Sequence, residues 1–279
     1  MATSCNFCEG TSSRSHFPEY GIVKCENCGL IFFPLRQLQA APEELYRKEY
    51  FQGGEYSDYG SDKAIFQKNF TARVRELSSR GKGGKLLEIG CAYGFFLQLA
   101  GEHFQAKGID ISSDAAKYAK DTLGLNAEAG NFLDLPDEVA AYDVICMWDT
   151  IEHLAAPMDY LKKAAIWLKP GGSLILTTGD IHSLLARARG SKWRQIHPPT
   201  HLYYFDQKTI TRALGTAGLK VVSIKYPGQY RSFRSMMYEI FSLRLPKFKI
   251  IYQVFTLGGK LDFPIYLNTF DIMEVTAER

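Results

Sequence analysis

Two cysteine pairs near the start of the chain, Cys5-x2-Cys8 and Cys25-x2-Cys28, carry the most specific chemistry in the sequence. Each Cys-x-x-Cys knuckle lets two thiolates reach one metal ion, and two knuckles together complete a tetrahedral Zn²⁺ shell. With every position filled by sulfur, such a site is structural and leaves no room for an activated water. Disulfide pairing is the competing reading, which a reducing compartment disfavours. Cys91 and Cys146 read as small buried residues rather than ligands. A second constellation starts at Glu88-Ile89-Gly90-Cys91-Ala92-Tyr93-Gly94, where an acidic residue leads small residues at alternate positions. Asp110 follows about twenty residues later, and its acceptor-only oxygens suit a pair of ribose hydroxyls. Three histidines, His153, His197 and His201, are candidate proton acceptors or substrate contacts.

Elements must carry these residues to one place. The chain has 279 residues, enough for one large α/β domain and a small satellite. Met1 to about Pro34 is rich in Cys and Gly, with short β-like runs at Gly21 to Lys24 and Leu30 to Phe33, and reads as a metal-held ribbon. Leu38 to Gly60 is tyrosine-rich, and Tyr50, Tyr56 and Tyr59 either close a pocket or simply pack. Asp62 to Arg80 has helical spacing through Ile65, Phe66, Phe70, Val74 and Leu77, ended by Gly81, Gly83 and Gly84.

Beyond that point apolar runs alternate with helical stretches, which predicts βα units and a parallel sheet. Strands are expected at Lys85 to Ile89, Ala106 to Asp110, Asn126 to Ala129, Tyr142 to Met147 and Ser173 to Thr178. Helices are expected near Phe95 to His103, Ser113 to Leu123 and Met158 to Leu168, the last stopped by Lys169-Pro170-Gly171-Gly172. Asp206 is the predicted N-cap of another helix, ending at Gly218. Strands Leu219 to Tyr226 and Phe270 to Ala277 close the chain. The resulting division is a ribbon at 1–36, a tyrosine-rich linker and helix at 37–80 that closes the pocket, and a main domain at 81–279 with an insert about 228–267.

The loop after the first main strand resembles motif I of the class I S-adenosylmethionine-dependent methyltransferases rather than a dinucleotide fingerprint, which needs Gly-x-Gly-x-x-Gly. Tyr142 to Leu154 and Leu168-Lys169-Pro170-Gly171-Gly172 resemble the fourth-strand and pre-fifth-strand signatures of the same superfamily, so the matches run in order from Leu86 to Thr178. The resemblance implies a doubly wound, mostly parallel seven-stranded sheet of Rossmann-like type, and S-adenosylmethionine as cofactor. Gly90, Cys91, Ala92, Tyr93 and Gly94 would pass close to its methionyl part, with Glu88 orienting the ammonium group. Asp110 and Ile111 would hold the ribose, Asn131 and Phe132 would frame the adenine, and Met147 and Trp148 would end the fourth strand beside it. Two positions depart from the pattern. Ala92 stands where glycine is usual, and Asn131 replaces an acidic residue, leaving its carbonyl oxygen to serve the exocyclic amine.

Methyl transfer from a sulfonium is an in-line displacement, and a base is needed mainly for hydroxyl or carbon acids. His153 follows the fourth strand at the ligand-binding edge of the sheet; it acts on substrate or merely shapes a helix start. His197-Pro198-Pro199-Thr200-His201-Leu202-Tyr203-Tyr204-Phe205 resembles a loop of the quinone and sugar-methyltransferase branches, making His197 and His201 further candidates. Charge is uneven: residues 181–260 carry 14 Lys/Arg against 2 Asp/Glu, while residues 1–180 carry 18 against 24. Arg187, Arg189, Lys192 and Arg194 cluster just before the histidine loop, which points to an anionic acceptor. In the insert, Met236, Met237, Ile240 and Phe241 form an apolar stripe flanked by Arg231, Arg234, Arg244, Lys247 and Lys249, as in a subunit face, a lid or a peripheral membrane helix.

The function expected is methylation, at O, C or N, of a small or carrier-linked and anionic metabolite such as a sugar nucleotide, a lipid-linked glycan or a polyketide-like acid. An RNA methyltransferase with an RNA-gripping ribbon is the first alternative, and a non-catalytic cofactor-binding scaffold is the second. Residues 1–40 argue against nucleic acid, since Arg14, Lys24 and Arg36 are balanced by Glu9, Glu19 and Glu26. No run reaches the roughly 18 apolar residues of a membrane span, and the first residues lack a signal-type apolar core. A cytoplasmic location is expected, and oligomeric state is not readable.

Overall fold

The computed structural model describes residues 5–38, 60, 62–80, 83–238 and 263–279. Tyr50, Tyr56, Tyr59, Ile240, Phe241, Arg244, Lys247 and Lys249, named above, lie outside the described residues. The chain begins with three short strands, β1 (Ser13–Phe17), β2 (Ile22–Cys25) and β3 (Ile31–Phe32), paired antiparallel in sequence. Helix α1 (Lys63–Arg80) follows. Then come β4 (Lys85–Ile89), α2 (Phe95–Ala100), β5 (Gln105–Asp110), α3 (Ser113–Lys117), β6 (Ala127–Ala129), β7 (Tyr142–Trp148), α4 (Pro157–Trp167) and β8 (Leu168–Gly179). The remainder is α5 (Leu184–Arg189), β9 (Tyr203–Tyr204), α6 (Gln207–Thr216), β10 (Lys220–Lys225), β11 (Gln229–Ser232), α7 (Phe233–Tyr238), β12 (Pro264–Leu267) and β13 (Ile272–Glu278).

The main sheet has the order β10-β13-β8-β7-β4-β5-β6. Its pairs from β8 through β6 are parallel, and β13 inserts antiparallel between β8 and β10. This is the doubly wound sheet the sequence implies. Strands covered on both faces read as continuous apolar runs, and in β4 every residue after Lys85 is buried, including the acid Glu88. Helix α1 packs its Phe70, Val74 and Leu77 stripe against Phe96, Cys146 and Trp148. Two expected boundaries move for local reasons. Lys169-Pro170-Gly171-Gly172 does not break the chain into loop and strand; β8 already runs from Leu168, and the extra residues form a bulge between the pairs Tyr142↔Leu168 and Val144↔Ser173. Gly171 has φ +76 there, a conformation open to glycine at little cost. The helix after Ser112, its N-cap, becomes a π-helical turn at Tyr118–Thr122 instead of continuing to Leu123.

The amino-terminal module is not a free satellite. β3 pairs antiparallel with β9, Ile31 opposite Tyr204 and Phe32 opposite Tyr203, giving a sheet β1-β2-β3-β9. Ile22, Leu30, Ile31 and Phe32 share one buried cluster with Tyr203 and Phe205. The ribbon and the histidine loop are thus one packing unit. Among the described residues no helix is long and apolar enough to cross a membrane.

Asp206 caps α6 as expected, and does so reciprocally: its Oδ1 accepts from Thr209 N at 2.7 Å, and its own N donates to Thr209 Oγ1 at 2.9 Å. It also pairs with His182 at 2.7 Å. Losing an N-cap acceptor costs about 1–2 kcal/mol. Asp206→Ala should therefore lower the unfolding midpoint by a few degrees, read by calorimetry, with cofactor affinity unchanged; an unaltered midpoint would show the cap to be energetically idle.

Candidate active site and metal centre

The four amino-terminal cysteines converge as the spacing predicts. Cys5 Sγ lies 3.6 Å from Cys28 Sγ, and Cys8 Sγ lies 3.6 Å from Cys25 Sγ. A tetrahedron with Zn–S bonds of about 2.3 Å has sulfur–sulfur edges of about 3.8 Å, so the cluster fits zinc, and none of the four is in a disulfide. Burial pushes the Cys5 thiol up to about 11 and raises Cys28 as well. Burial also works against Cys8, but the Gly10 amide and the Asn27 side chain hold it down to about 7. Crowded, desolvated sulfurs of this kind need a cation to be stable as thiolates.

A second centre opens at the carboxyl ends of β4, β5 and β7, the edge where open α/β sheets bind ligands. It is a cavity of about 320 Å³. Glu88, Gly90, Cys91, Ala92, Asp110, Ile111, Asn131, Phe132, Trp148 and His153, all expected in the site, line it. Gly90 has φ +78, and a Cβ there would lie 2.6 Å from Thr150 Oγ1, so only glycine makes the turn. Asp110 is locked by two amides: Oδ2 accepts from Ala92 N at 2.7 Å and Oδ1 from Ser112 N at 2.8 Å. Each oxygen retains a second lone pair toward the cavity side. Burial raises Glu88 well above the ordinary carboxyl range, with Asp110 adding to the effect. Glu88 Oε2 and Trp148 Nε1 are buried without hydrogen-bond partners. Orphaned polar atoms in a cavity wall mark places for ligand polar groups, and a cationic group beside Glu88 would restore its charge. The residues thus fit S-adenosylmethionine.

Several expected contacts are displaced. Tyr93, Gly94 and Met147 do not line the cavity. Tyr93 is stacked on Tyr118 at 4.5 Å, and Met147 is fully buried in the sheet core. Gly94 has φ +77, and a Cβ there would meet Leu125 Cδ1 at 2.6 Å and Ala119 at 3.0 Å. Its small size leaves room for Ala119 and Leu125. The carbonyl oxygen of Asn131 is already used, accepting from Leu133 N at 3.0 Å and from the Tyr160 hydroxyl at 2.7 Å. Its amide nitrogen, a donor, is what remains, which suits an adenine ring nitrogen rather than the exocyclic amine.

The histidines separate into one wall residue and two behind it. His153 lines the cavity, with Nδ1 2.9 Å from the Thr200 carbonyl. His201 stacks edge-on at 4.5 Å, and His197 lies 3.8 Å beyond His201; neither lines the cavity. Nδ1 of His201 lies 2.9 Å from the Gln195 carbonyl, and Nδ1 of His197 lies 2.7 Å from Thr200 Oγ1. Burial, with His197 adding to it, pushes His153 down to about 3. Glu152, His153 and His201 offer ligand-type atoms within 4.8 Å of one another. Burial, with Asp149 nearby, pushes the Glu152 carboxyl up to about 8.

The basic cluster lies elsewhere. Arg187, Arg189 and Lys192 are exposed, none of the four cations before the loop lines the cavity, and Arg194 is committed to Asp271 at 3.1 Å. The cation that does line the cavity is Arg73, missed from sequence. Its side chain is only 10% exposed, its Nε donates to Glu274 at 3.2 Å, and its guanidinium lies 4.4 Å from the Trp148 ring. The terminal nitrogens remain to meet a ligand. A signal existed: Phe66, Asn69, Phe70 and Arg73 recur at helical spacing on one face of α1, and all four reach the cavity together with Gln229.

Comparison with known proteins agrees with this geometry. A family model described as a methyltransferase domain matches residues 61–224, and the chain belongs to that family. It is an S-adenosylmethionine-dependent methyltransferase of class I. The ubiquinone biosynthesis O-methyltransferase of Burkholderia pseudomallei is 28% identical over 159 residues, covering 51% of this chain and 67% of that protein. Among solved structures, a methyltransferase of Archaeoglobus fulgidus has a TM-score of 0.52 at 17% identity, covering 79% of this chain and 99% of that one. Phosphoethanolamine N-methyltransferase 2 of Haemonchus contortus has a TM-score of 0.56 at 16% identity, covering 86% and 61% respectively. These two share the fold.

Elemental analysis of freshly purified, reduced protein should find one zinc per chain; a stoichiometry near zero would reject the metal centre. For Glu152 the native pKa lies above the unfolded value, so the native state binds more protons and stability falls as pH rises from about 4.5 to about 8. Glu152→Gln should flatten that slope, gaining thermal stability over the wild type at pH 8.5 but not at pH 4.5. A parallel pair of pH–stability curves would contradict it.

Proposed function

We propose that the enzyme methylates a hydroxyl oxygen on a small acceptor with a flat apolar body, set against Phe66, Phe70 and Trp148 with its hydroxyl toward His153. The observation that carries this reading is His153 itself, a cavity-wall imidazole whose Nδ1 is anchored on the Thr200 carbonyl. Donation from Nδ1 makes Nε2 the basic nitrogen. Burial holds the ring neutral, so Nε2 presents a lone pair to the hydroxyl, though at the cost of basicity. His201 and His197, stacked behind, fix its plane rather than touch substrate. The relative named as an O-methyltransferase supports oxygen as the acceptor atom.

Bound S-adenosylmethionine supplies an electrophilic methyl group on a sulfonium, whose positive charge also acidifies a nearby hydroxyl. Glu88 and Arg73, opening into the same cavity, complement the ammonium and carboxylate of its amino-acid part. Asp110 takes the ribose hydroxyls and Asn131 the adenine edge. Phe66, Phe70 and Trp148 exclude water from the line of transfer. With the 187–194 cations away from the cavity, an anionic acceptor is not required.

Removal of the Asp110 carboxylate takes away charge-assisted hydrogen bonds of about 1.5–3 kcal/mol each, so Asp110→Ala should weaken S-adenosylmethionine binding at least tenfold by calorimetry; unchanged affinity would sink the site. A panel of phenols, enolic acids, sugar nucleotides and total RNA, offered with methyl-labelled cofactor, should place label on a hydroxyl-bearing small molecule. His153→Gln should then lower kcat by about 10²–10⁴ while cofactor affinity stays within about twofold. Label on RNA, on carbon or on nitrogen, or an unchanged kcat in the variant, would overturn the reading.

A further inference from the structure

The zinc ribbon reaches the methyl-transfer cavity through two hydrogen-bonded residues. Asn6 lies inside the first knuckle, between Cys5 and Cys8. Its Nδ2 donates to the Tyr203 hydroxyl at 2.9 Å, and lies 3.4 Å from the Ala155 carbonyl. The Tyr203 hydroxyl donates in turn to the same carbonyl at 3.0 Å. Ala155 is no remote residue: His153, Leu154, Ala155 and Ala156 form a continuous stretch of cavity wall. A second tie runs beside the first. Phe33 N donates to Leu202 O at 2.8 Å, and Leu202 N donates to Glu152 O at 2.8 Å. The β3–β9 pairing carries both ties.

The chemistry of these contacts is selective. Tyr203 is 2% exposed, and a buried phenol must place its hydroxyl on a partner or lose stability. Here that hydroxyl is satisfied from both sides, receiving from Asn6 and donating to Ala155. The wall segment has little regular structure to hold it. Ile151–His153 is a single 3₁₀ turn, and α4 starts only at Pro157. Residues between two elements take their position from the groups they touch, and Asn6 is set by the chelate ring that closes on Cys5 and Cys8.

We infer that Asn6 and Tyr203 are positioning residues for the acceptor wall, and that the bound zinc, by fixing the first knuckle, sets the place of residues 153–156. The inference rests on the cavity being the methyl-transfer site, but not on any particular acceptor. The metal's work is then not confined to folding the ribbon. Bound there, it would act on the wall segment after β7 through Asn6 and Tyr203, whereas no hydrogen bond of this chain of contacts runs to β4 or β5.

The test uses the zinc-loaded full chain and the variants Asn6→Ala and Tyr203→Phe. Neither residue is a zinc ligand, so both variants should retain zinc at the wild-type stoichiometry. Amide hydrogen exchange in residues 151–156 should accelerate roughly tenfold, the loss of one or two hydrogen bonds, while β4 and β5 keep wild-type protection. The ¹³C resonance of bound methyl-labelled S-adenosylmethionine should shift or broaden in both variants with affinity within about twofold, a change that mere loss of ribbon stability does not produce. Removing zinc from the wild type with a chelator should reproduce the exchange pattern. Unchanged protection at 151–156 and an unchanged methyl resonance in zinc-loaded Asn6→Ala, whose side chain is exposed and whose fold is least at risk, would overturn the inference. If Tyr203→Phe alone fails to fold, Asn6→Ala still decides. Failure of wild-type protein to bind S-adenosylmethionine would refute the proposed activity and leave the exchange result standing as its own measurement of the ribbon's tie to the wall.

Discussion

Two carboxylates at the ends of neighbouring parallel strands set the terms for the whole site. Glu88 and Asp110 are 3% and 8% exposed, and the loops around them are arranged to make such burial tolerable. Asp110 is compensated by two backbone amides, one from the turn after β4 and one from the start of α3. That shared carboxylate ties the two βα turns together and forces the left-handed conformations at Gly90 and Ala92, whose φ values are +78 and +46. Glu88 has no such compensation for Oε2. Its environment instead favours the neutral acid until a cation arrives. A site built this way is electrostatically incomplete when empty, so binding a zwitterionic cofactor relieves a penalty the fold already carries.

The second dependence runs across the chain rather than along it. Residues 5–38 and residues 197–205 are far apart in sequence, yet β3 and β9 join them in one sheet, with Tyr203 and Phe205 in the ribbon's core. The three stacked imidazoles occupy the seam between that sheet and the main domain. Each has a ring nitrogen near a protein oxygen, which fixes its orientation. Burial, with the neighbouring imidazoles adding to it, pushes His153 and His201 toward the neutral form, which suits ring contacts at 3.8–4.5 Å.

Much of this was legible in the residues, and the gaps have physical causes. The alternation of apolar runs with helical stretches placed every strand of the parallel half, most plainly β4, whose residues after Lys85 are all buried. The cysteine spacing located the four-sulfur cluster, since bringing two knuckles together needs little beyond their own hairpins. The glycines were harder. Gly90 and Gly94 look alike in a motif, but only the environment of each Cβ separates a turn beside the cavity from a helix contact with Ala119 and Leu125. For Asn131 the sequence suggested its carbonyl oxygen as the contact, whereas that oxygen already accepts from Leu133 and Tyr160, partners that no local motif reveals. The basic stretch could not be placed for a related reason: charge counted along a segment says nothing of direction, and Arg194 is paired with Asp271, 77 residues away.

Specificity must be sought in the walls the fold does not share. The family match ends at residue 224, and proteins of this fold at 16–17% identity include a phosphoethanolamine N-methyltransferase, so the sheet and its cofactor edge say little about the acceptor. Three separate pieces of chain build the rest of the cavity wall, and only β11 lies beyond the family match. Helix α1 contributes Phe66, Asn69, Phe70 and Arg73; β11 contributes Gln229; and the segment after β7 contributes His153 to Ala156. They are not independent. Asn69 clasps Tyr230 through both its amide groups, at 2.8 and 2.7 Å, so α1 and β11 are joined, while the segment after β7 is hydrogen-bonded to Tyr203 and Leu202. The cavity is therefore walled by two pieces of chain with different anchors, α1 clasped to β11 on one hand, and on the other the segment after β7, hydrogen-bonded to the amino-terminal module through Tyr203 and Leu202.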